Sequence, residues 1–309
     1  MKTYTFPFAI LLSAAAATLV AAAERPQPAQ IAATIAPLLD EQAMLVVHAD
    51  YGSLDTEAIV VPIGKLLGEH AAMAEAALRP AVVLFQALKD AGSKEGFFVT
   101  SVADIPKYPG LVMVPLPDNA DAKTVGASLG KLPVNEGFRV EQIGNAMISA
   151  GPETLERLKK IIPDARPHLV DALAAVNDAP LKIVFTPPTY FRPVIEQTLP
   201  ELPEVAGGGP STILTAGVQW AAVGVMLEPQ PSIRVVVQSE SPEAAAAVAK
   251  KFGEVCELVR RNEKVRTRLP EMDQILTMLS PSVENDRVVL ILNEENGRLP
   301  KLVESVLPK

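Results

Sequence analysis

Four residues early in the chain have side chains suited to acid–base chemistry or metal binding: His48, Asp50, Asp55 and Glu57. A His-x-Asp spacing on a strand places both side chains on one face of a sheet, which a metal site could use. The same residues fit a structural role in which the imidazole packs as an amphipathic ring. We favour the structural role. We therefore predict no catalytic, metal-binding or cofactor-binding residue, and name these four as the candidates should a site exist.

Two further segments resemble catalytic motifs but lack the elements those motifs need. Gly126 to Gly130 matches the G-x-S-x-G pattern of serine hydrolases, which requires Ser128 at a sharp turn between a strand and a helix. The residues before it are polar and helical in pattern, so Ser128 is predicted to lie inside a helix. Gly207 to Gly209 lacks the preceding strand and the following Lys-Ser/Thr of a phosphate-binding loop. We predict that it is a flexible loop.

Cysteine, tryptophan and basic residues are interpreted as structural. Cys256 is the only cysteine, so no intramolecular disulfide can form, and its apolar neighbours predict a buried position on a helix. Trp220 is the only tryptophan and is predicted to lie in the core. The basic residues between Arg260 and Arg268 are predicted to form a solvated helix end, where cations interact favourably with the helix dipole. Binding of an acidic partner there is the alternative.

The chain begins with the features of an export signal. Lys2 is followed by an uncharged apolar stretch from Phe6 to Val20, and 21–23 are three alanines before Glu24. We therefore predict a signal peptide over residues 1–23, cleaved after Ala23. The stretch is too short and too rich in small residues for a membrane anchor, and no later run predicts a transmembrane segment. The protein is expected to be secreted or periplasmic.

Charge and size limit the classes of partner. Loss of residues 1–23 removes only Lys2, which changes the formal net charge from -8 to -9. Such an acidic chain is a poor ligand for nucleic acid or an anionic membrane surface. Hydrophobic residues make up 49% of the sequence, which is enough to build a packed core.

The order of predicted elements repeats along the chain. Residues 43–49 align with 180–186 at a spacing of 137, and residues 98–129 align with 220–251 at a spacing of 122. We therefore predict an α+β fold with two duplicated β-α-β-β-α-β-β-α halves, over residues 24–176 and 177–309. Short connections between adjacent strands favour mainly antiparallel sheets, each covered by helices on one face. A weak self-match between any two α/β segments is the alternative.

Three segments carry a resemblance to a known family: 207–212 (GGGPST), 219–225 (QWAAVGV) and 231–238 (PSIRVVVQ). They resemble parts of a family of uncharacterised secreted bacterial proteins of the planctomycete type. The resemblance implies export and duplication over most of the mature chain. It implies no activity, cofactor or catalytic residue.

These observations predict a non-enzymatic exported protein that serves as a binding module or scaffold in the bacterial cell envelope. Its partner would be a protein or another envelope component of unknown identity. One alternative is a secreted hydrolase with a site between the halves, built from His48 and the acids near it. Another is a carrier of a small apolar ligand, held against the helices over residues 71–77 and 244–249, which are rich in small side chains.

Overall fold

The computed structural model describes residues 26–54, 71–105, 107–108, 110–132, 137–162, 166–226, 231–263 and 272–301. Its strands are β1 (Ala43–Ala49), β2 (Gly96–Ser101), β3 (Leu111–Pro115), β4 (Arg139–Ile143), β5 (Ala146–Ala150), β6 (Leu181–Phe185), β7 (Trp220–Met226), β8 (Ser232–Gln238), β9 (Ser282–Glu284) and β10 (Arg287–Asn293). Its helices are α1 (Pro28–Ile35), α2 (Ala71–Asp90), α3 (Ala122–Leu129), α4 (Pro152–Leu158), α5 (Pro167–Ala175), α6 (Phe191–Thr198), α7 (Thr212–Gly217), α8 (Pro242–Arg261) and α9 (Met272–Met278). The predicted signal peptide and its cleavage site lie outside these residues, as do Asp55 and Glu57.

One antiparallel sheet contains all ten strands, in the order β4-β5-β3-β2-β1-β6-β7-β8-β10-β9. We call β1 to β5 the N-terminal half of the sheet and β6 to β10 the C-terminal half. Counted outwards from the centre, the two halves have the same strand order. The sequence favoured separate sheets, and this was wrong because β1 and β6 pair edge to edge, from Leu45 with Phe185 to Ala49 with Leu181.

Helices cover both faces of the sheet, not one face as predicted. Alternate residues of a strand point to opposite faces. On β1, Val46 belongs to the largest buried cluster, which includes residues of α1, α4 and α5. The next residue, Val47, packs against a second cluster that includes residues of α2 and α3. Both faces are therefore buried in the centre of the sheet.

Close packing of α5 against the sheet depends on Gly224 of β7. A Cβ atom at this position would lie 2.8 Å from Cβ of Val176 and 2.9 Å from Cβ of Ala179, just after α5. Such distances are too short for a side chain, so glycine lets the end of the helix contact the strand directly. Helix α5 also packs against α1, which precedes β1 as α5 precedes β6.

The outermost hairpins of the two halves have matching turns. In the β4–β5 hairpin Ile143 pairs with Ala146, and in the β9–β10 hairpin Glu284 pairs with Arg287, so each turn has two residues. The first turn residue has a positive φ in both, 60° at Gly144 and 55° at Asn285. Glycine and asparagine are the residues that adopt this conformation at least cost.

Candidate functional site

Polar side chains from three segments meet at the end of β1 and form what we call the polar cluster: His48, Asp50, Tyr51, Glu95 and Lys182. All are buried except Glu95, whose side chain is 20% exposed. His48 is fully buried, and Lys182, which lies directly opposite it on β6, is only 1% exposed. Charged and ionisable groups are rarely this buried unless they have partners. The cluster therefore has to be explained by its contacts.

His48 makes one hydrogen bond through its ring. Its Nε2 lies 2.8 Å from Oε2 of Glu95, and because a carboxylate only accepts, Nε2 is the protonated nitrogen. Nδ1 is buried and has no hydrogen-bond partner among the described residues. The ring packs against Phe97, with ring centroids 4.9 Å apart. Burial lowers the pKa of His48, and the positive charge of Lys182 lowers it further. Glu95 and Asp50 act in the opposite direction.

The remaining members of the cluster bind backbone and neighbouring side chains. Asp50 accepts a hydrogen bond from the amide of Ser53 at 3.1 Å, which fixes the turn after β1. The Tyr51 hydroxyl donates to the carbonyl of Glu95 at 2.7 Å and lies 2.8 Å from Oγ of Ser93. Burial raises the pKa of Tyr51, so the phenol stays neutral. Lys182 donates from Nζ to the carbonyl of Ala179 at 2.5 Å.

The sequence identified only part of this cluster. The structure places His48 and Asp50 at one end of β1, and both are buried. Glu95 and Lys182 were missed, because only the pairing of β1 with β2 and β6 brings them to His48. A lysine inside the apolar segment 181–185 was the one signal for Lys182. Asp55 and Glu57 lie outside the described residues.

A second polar group surrounds Arg157 of α4. Its guanidinium pairs with the carboxylate of Asp104 at 2.9 Å and also contacts Asp40. Asp104 is buried, accepts a hydrogen bond from Thr154 at 2.7 Å, and has its pKa raised by burial. This group ties α4 to the segments before β1 and after β2. Since its charges contact each other, we assign it a structural role.

The Gly-rich loop before α7, which the sequence predicts to be flexible, is hydrogen-bonded to α8. Gly207, Gly208 and Gly209 all have positive φ values, and Lys251 of α8 donates from Nζ to the carbonyls of Gly207 and Gly208, at 3.0 Å each. The Lys251 side chain is only 12% exposed and also contacts Glu254. The loop is thereby attached to α8. The carbonyl of Gly209 accepts instead from the amide of Leu202, at 2.7 Å.

Helices α6, α7 and α8 form a helical layer that carries several exposed apolar side chains. Helix α7 packs against both α6 and α8. Helix α6 has no buried residue, and Ala245 is the only buried residue of the 20 in α8. Six of the ten large hydrophobic residues that are exposed in the described chain belong to this layer and the segments beside it: Tyr190, Val194, Leu199, Leu214, Phe252 and Leu258.

An open cleft of about 390 Å³ lies at the edge of this layer, beside the C-terminal part of α8. It is lined by Gly207, Glu254, Glu257, Leu258 and Arg261. Arg260 and Arg261 occupy the last turn of α8, as predicted for the basic segment. The rest of that segment, residues 264–268, lies outside the described residues. Three of the five lining residues are charged.

Other sequence motifs have structural positions. Ser128 lies on α3 and is buried, so it is not on the strand-to-helix turn that a hydrolase nucleophile needs. Trp220 is 1% exposed, which confirms the core prediction. Cys256 was predicted to be buried but is only half-buried, against the buried apolar residues of α9. Desolvation raises the pKa of its thiol. A raised pKa disfavours the reactive thiolate.

The described residues include neither a metal-binding group nor a membrane-spanning helix. Within the described residues, no group of three or more His, Cys, Asp or Glu side chains could hold a metal ion. None of the described helices has the length and hydropathy needed to cross a bilayer. No family model, curated protein or solved structure matches the chain.

Proposed function

We propose that the protein is an exported, non-enzymatic binding protein of the bacterial cell envelope, and that α6, α7 and α8 form its recognition surface. The concentration of exposed apolar side chains on this layer carries the proposal. Exposed apolar groups that cluster, in contrast to scattered ones, are typical of surfaces that contact another molecule. The partner is a protein or another envelope component with an apolar surface of its own.

The chemistry of the interior supports a binding role over a hydrolase. His48 and Asp50 lie at the junction of the two halves, where the hydrolase alternative would place its site, but both are buried. A catalytic base must reach a proton on its substrate. His48 instead contacts Glu95, and Asp50 holds the turn after β1.

We further propose that the chain arose by duplication of one unit. The support comes from the matching strand order, the matching two-residue turns at Gly144 and Asn285, and the matching positions of α1 and α5. The unit then begins with the helix before its first strand, so the boundary falls near residue 166 and not at 176. The halves differ most in α8, which has 20 residues against eight in α3. This difference lies in the proposed recognition surface.

Site-specific photo-crosslinking in the native cells tests the binding role. A photoreactive phenylalanine analogue replaces Phe252, and in a control it replaces Val83 of α2, which is 63% exposed but outside the layer. We expect a discrete adduct from position 252 and none from position 83. Leu258→Glu should abolish the adduct without unfolding the protein. Equal labelling at both positions, or none at 252, 194 and 214, would contradict a recognition surface on the helical layer.

Export is tested in the same cells by fractionation and intact mass. We expect the protein in the periplasm or the medium, with the mass of a chain that begins at Glu24. The reason is that residues 1–23 have the charge and apolar pattern of a cleaved signal. A full-length protein in the cytoplasm would contradict export. Native mass spectrometry of the purified chain tests the carrier alternative, because a carrier would retain a bound apolar molecule that adds to the mass of the protein.

A further inference from the structure

We propose that the junction of β1 with β6 is an acid-sensitive joint, in which protonation of His48 weakens the strand pairing that connects the two halves of the sheet. This inference is independent of the proposed binding role. It rests on the position of His48 and on the groups around its ring.

The position matters because β1–β6 is the strand pair that makes the two halves one sheet. It consists of five residue pairs, and His48 with Lys182 is one of them. Directly opposite residues of an antiparallel pair point to the same face, with close Cβ atoms. An imidazole that gains a positive charge here therefore gains it beside a buried ammonium group.

The lack of a hydrogen-bond partner for Nδ1 within the described part of the chain makes the charged ring harder to accommodate. Nε2 already carries the proton that it donates to Glu95, so a second proton must go to Nδ1. Nδ1 is buried and has no partner among the described residues. A new N–H donor would then lie in the interior without an acceptor, which costs about 1–3 kcal/mol in proteins.

The charged groups that face His48 come from three segments: Lys182 on β6, Glu95 before β2 and Asp50 after β1. Tyr51 lies nearby as a neutral phenol. The two carboxylates favour a charged ring, but Glu95 contacts the nitrogen that is already protonated. Burial and Lys182 oppose the charge, and together they keep the pKa of His48 below its ordinary value of 6.5.

The sign of the effect follows from this lowered pKa. The unfolded chain takes up a proton at His48 near pH 6.5, whereas the folded protein resists it until the pH is lower. The stability that a neutral His48 provides is fully present above pH 6.5. It is lost as the pH falls from 6.5 towards the folded value, a range that a compartment outside the cytoplasm can experience.

His48→Gln tests the joint, because glutamine keeps an N–H donor for Glu95 but does not titrate. His168→Gln is the matched control, since His168 lies exposed on α5. Urea unfolding is followed by the fluorescence of Trp220 between pH 7 and 5.5. We expect the unfolding constant of the wild type to rise about three- to eightfold relative to His48→Gln over this range. His168→Gln should follow the wild type.

Hydrogen exchange locates the change. At pH 5.5 the amides of residues 43–49 and 181–185 should lose protection in the wild type, after correction for intrinsic rates, while the hairpin over 139–150 keeps it. If His48→Gln does not fold, Lys182→Met is used in its place. Because it removes the neighbouring cation, the unfolding constant of this variant should depend less steeply on pH than that of the wild type. Parallel pH dependences for wild type and variant, or uniform loss of protection over the sheet, would overturn the acid-sensitive joint.

Discussion

At the scale of single residues, the sequence indicates which side chains share a face of a strand. It does not indicate which distant residues those side chains contact. His48 and Asp50 could be placed on one face of a strand because strand periodicity fixes this locally. Glu95 lies 47 residues beyond His48 and reaches it only through the β1–β2 pairing. Likewise, the pairing of Arg157 with Asp104 spans 53 residues. Contacts of this kind leave no periodic signal in one sequence.

Arg157→Ala should destabilise the protein by about 2–3 kcal/mol, because it leaves the carboxylates of Asp104 and Asp40 close together without their cation. Glu153→Ala, on the same helix, is the matched control. Glu153 pairs with Lys107 at the surface, with side chains 71% and 58% exposed, so its loss should have no measurable effect. Urea denaturation measures both. Equal effects would show that the buried group around Arg157 does not stabilise α4.

At the scale of elements, strong local signals gave the right result and weak ones did not. Apolar runs bounded by Gly and Pro predict eight of the ten strands close to their observed bounds. Strand β9 gives no such signal, because it has three residues, all exposed. Pro167 could suggest a break in the chain, but it is the first residue of α5. Helix α2 continues through Pro80, a residue type that usually breaks or kinks a helix.

Two glycine substitutions should have opposite effects. Gly224→Ala should destabilise the protein by about 1–3 kcal/mol, since the new Cβ would overlap Val176 and Ala179 at the end of α5. Gly253→Ala on α8 should stabilise by about 0.5–1 kcal/mol, because alanine is the better helix former. No heavy atom lies within 4 Å of a Cβ at position 253. Thermal denaturation measures both, and a stabilising Gly224→Ala would mean that α5 can move away from β7.

At the scale of the whole molecule, the α+β class and the antiparallel strand pairing were predictable, but the single sheet was not. Short connections favour antiparallel pairing in four strand pairs: β2–β3, β4–β5, β7–β8 and β9–β10. The pairing of β1 with β6 joins the edge strands of the two halves, and no tight turn connects these strands. Ala43 and Leu181, where they begin, are 138 residues apart in the sequence. The register of this pairing is set instead by packing, with Val46 opposite Val184 in the largest buried cluster.

Because the halves share this cluster, we expect one unfolding transition. Val46→Ala, in the N-terminal half, should lower the urea midpoints of Trp220 fluorescence and far-UV circular dichroism equally, at a cost of about 1–3 kcal/mol. Trp220 reports from the C-terminal half. Val83→Ala, at an exposed position, should leave both midpoints unchanged. A fluorescence midpoint that does not respond to Val46→Ala would mean that the halves unfold separately.

The β1–β6 pair also has a consequence for assembly. Before it forms, each half ends in an unpaired strand whose hydrogen-bonding groups fit the other half equally well whether that half belongs to the same polypeptide or to a neighbour. Refolding at high protein concentration should therefore produce domain-swapped dimers, in which two chains exchange halves and complete two ten-stranded sheets between them.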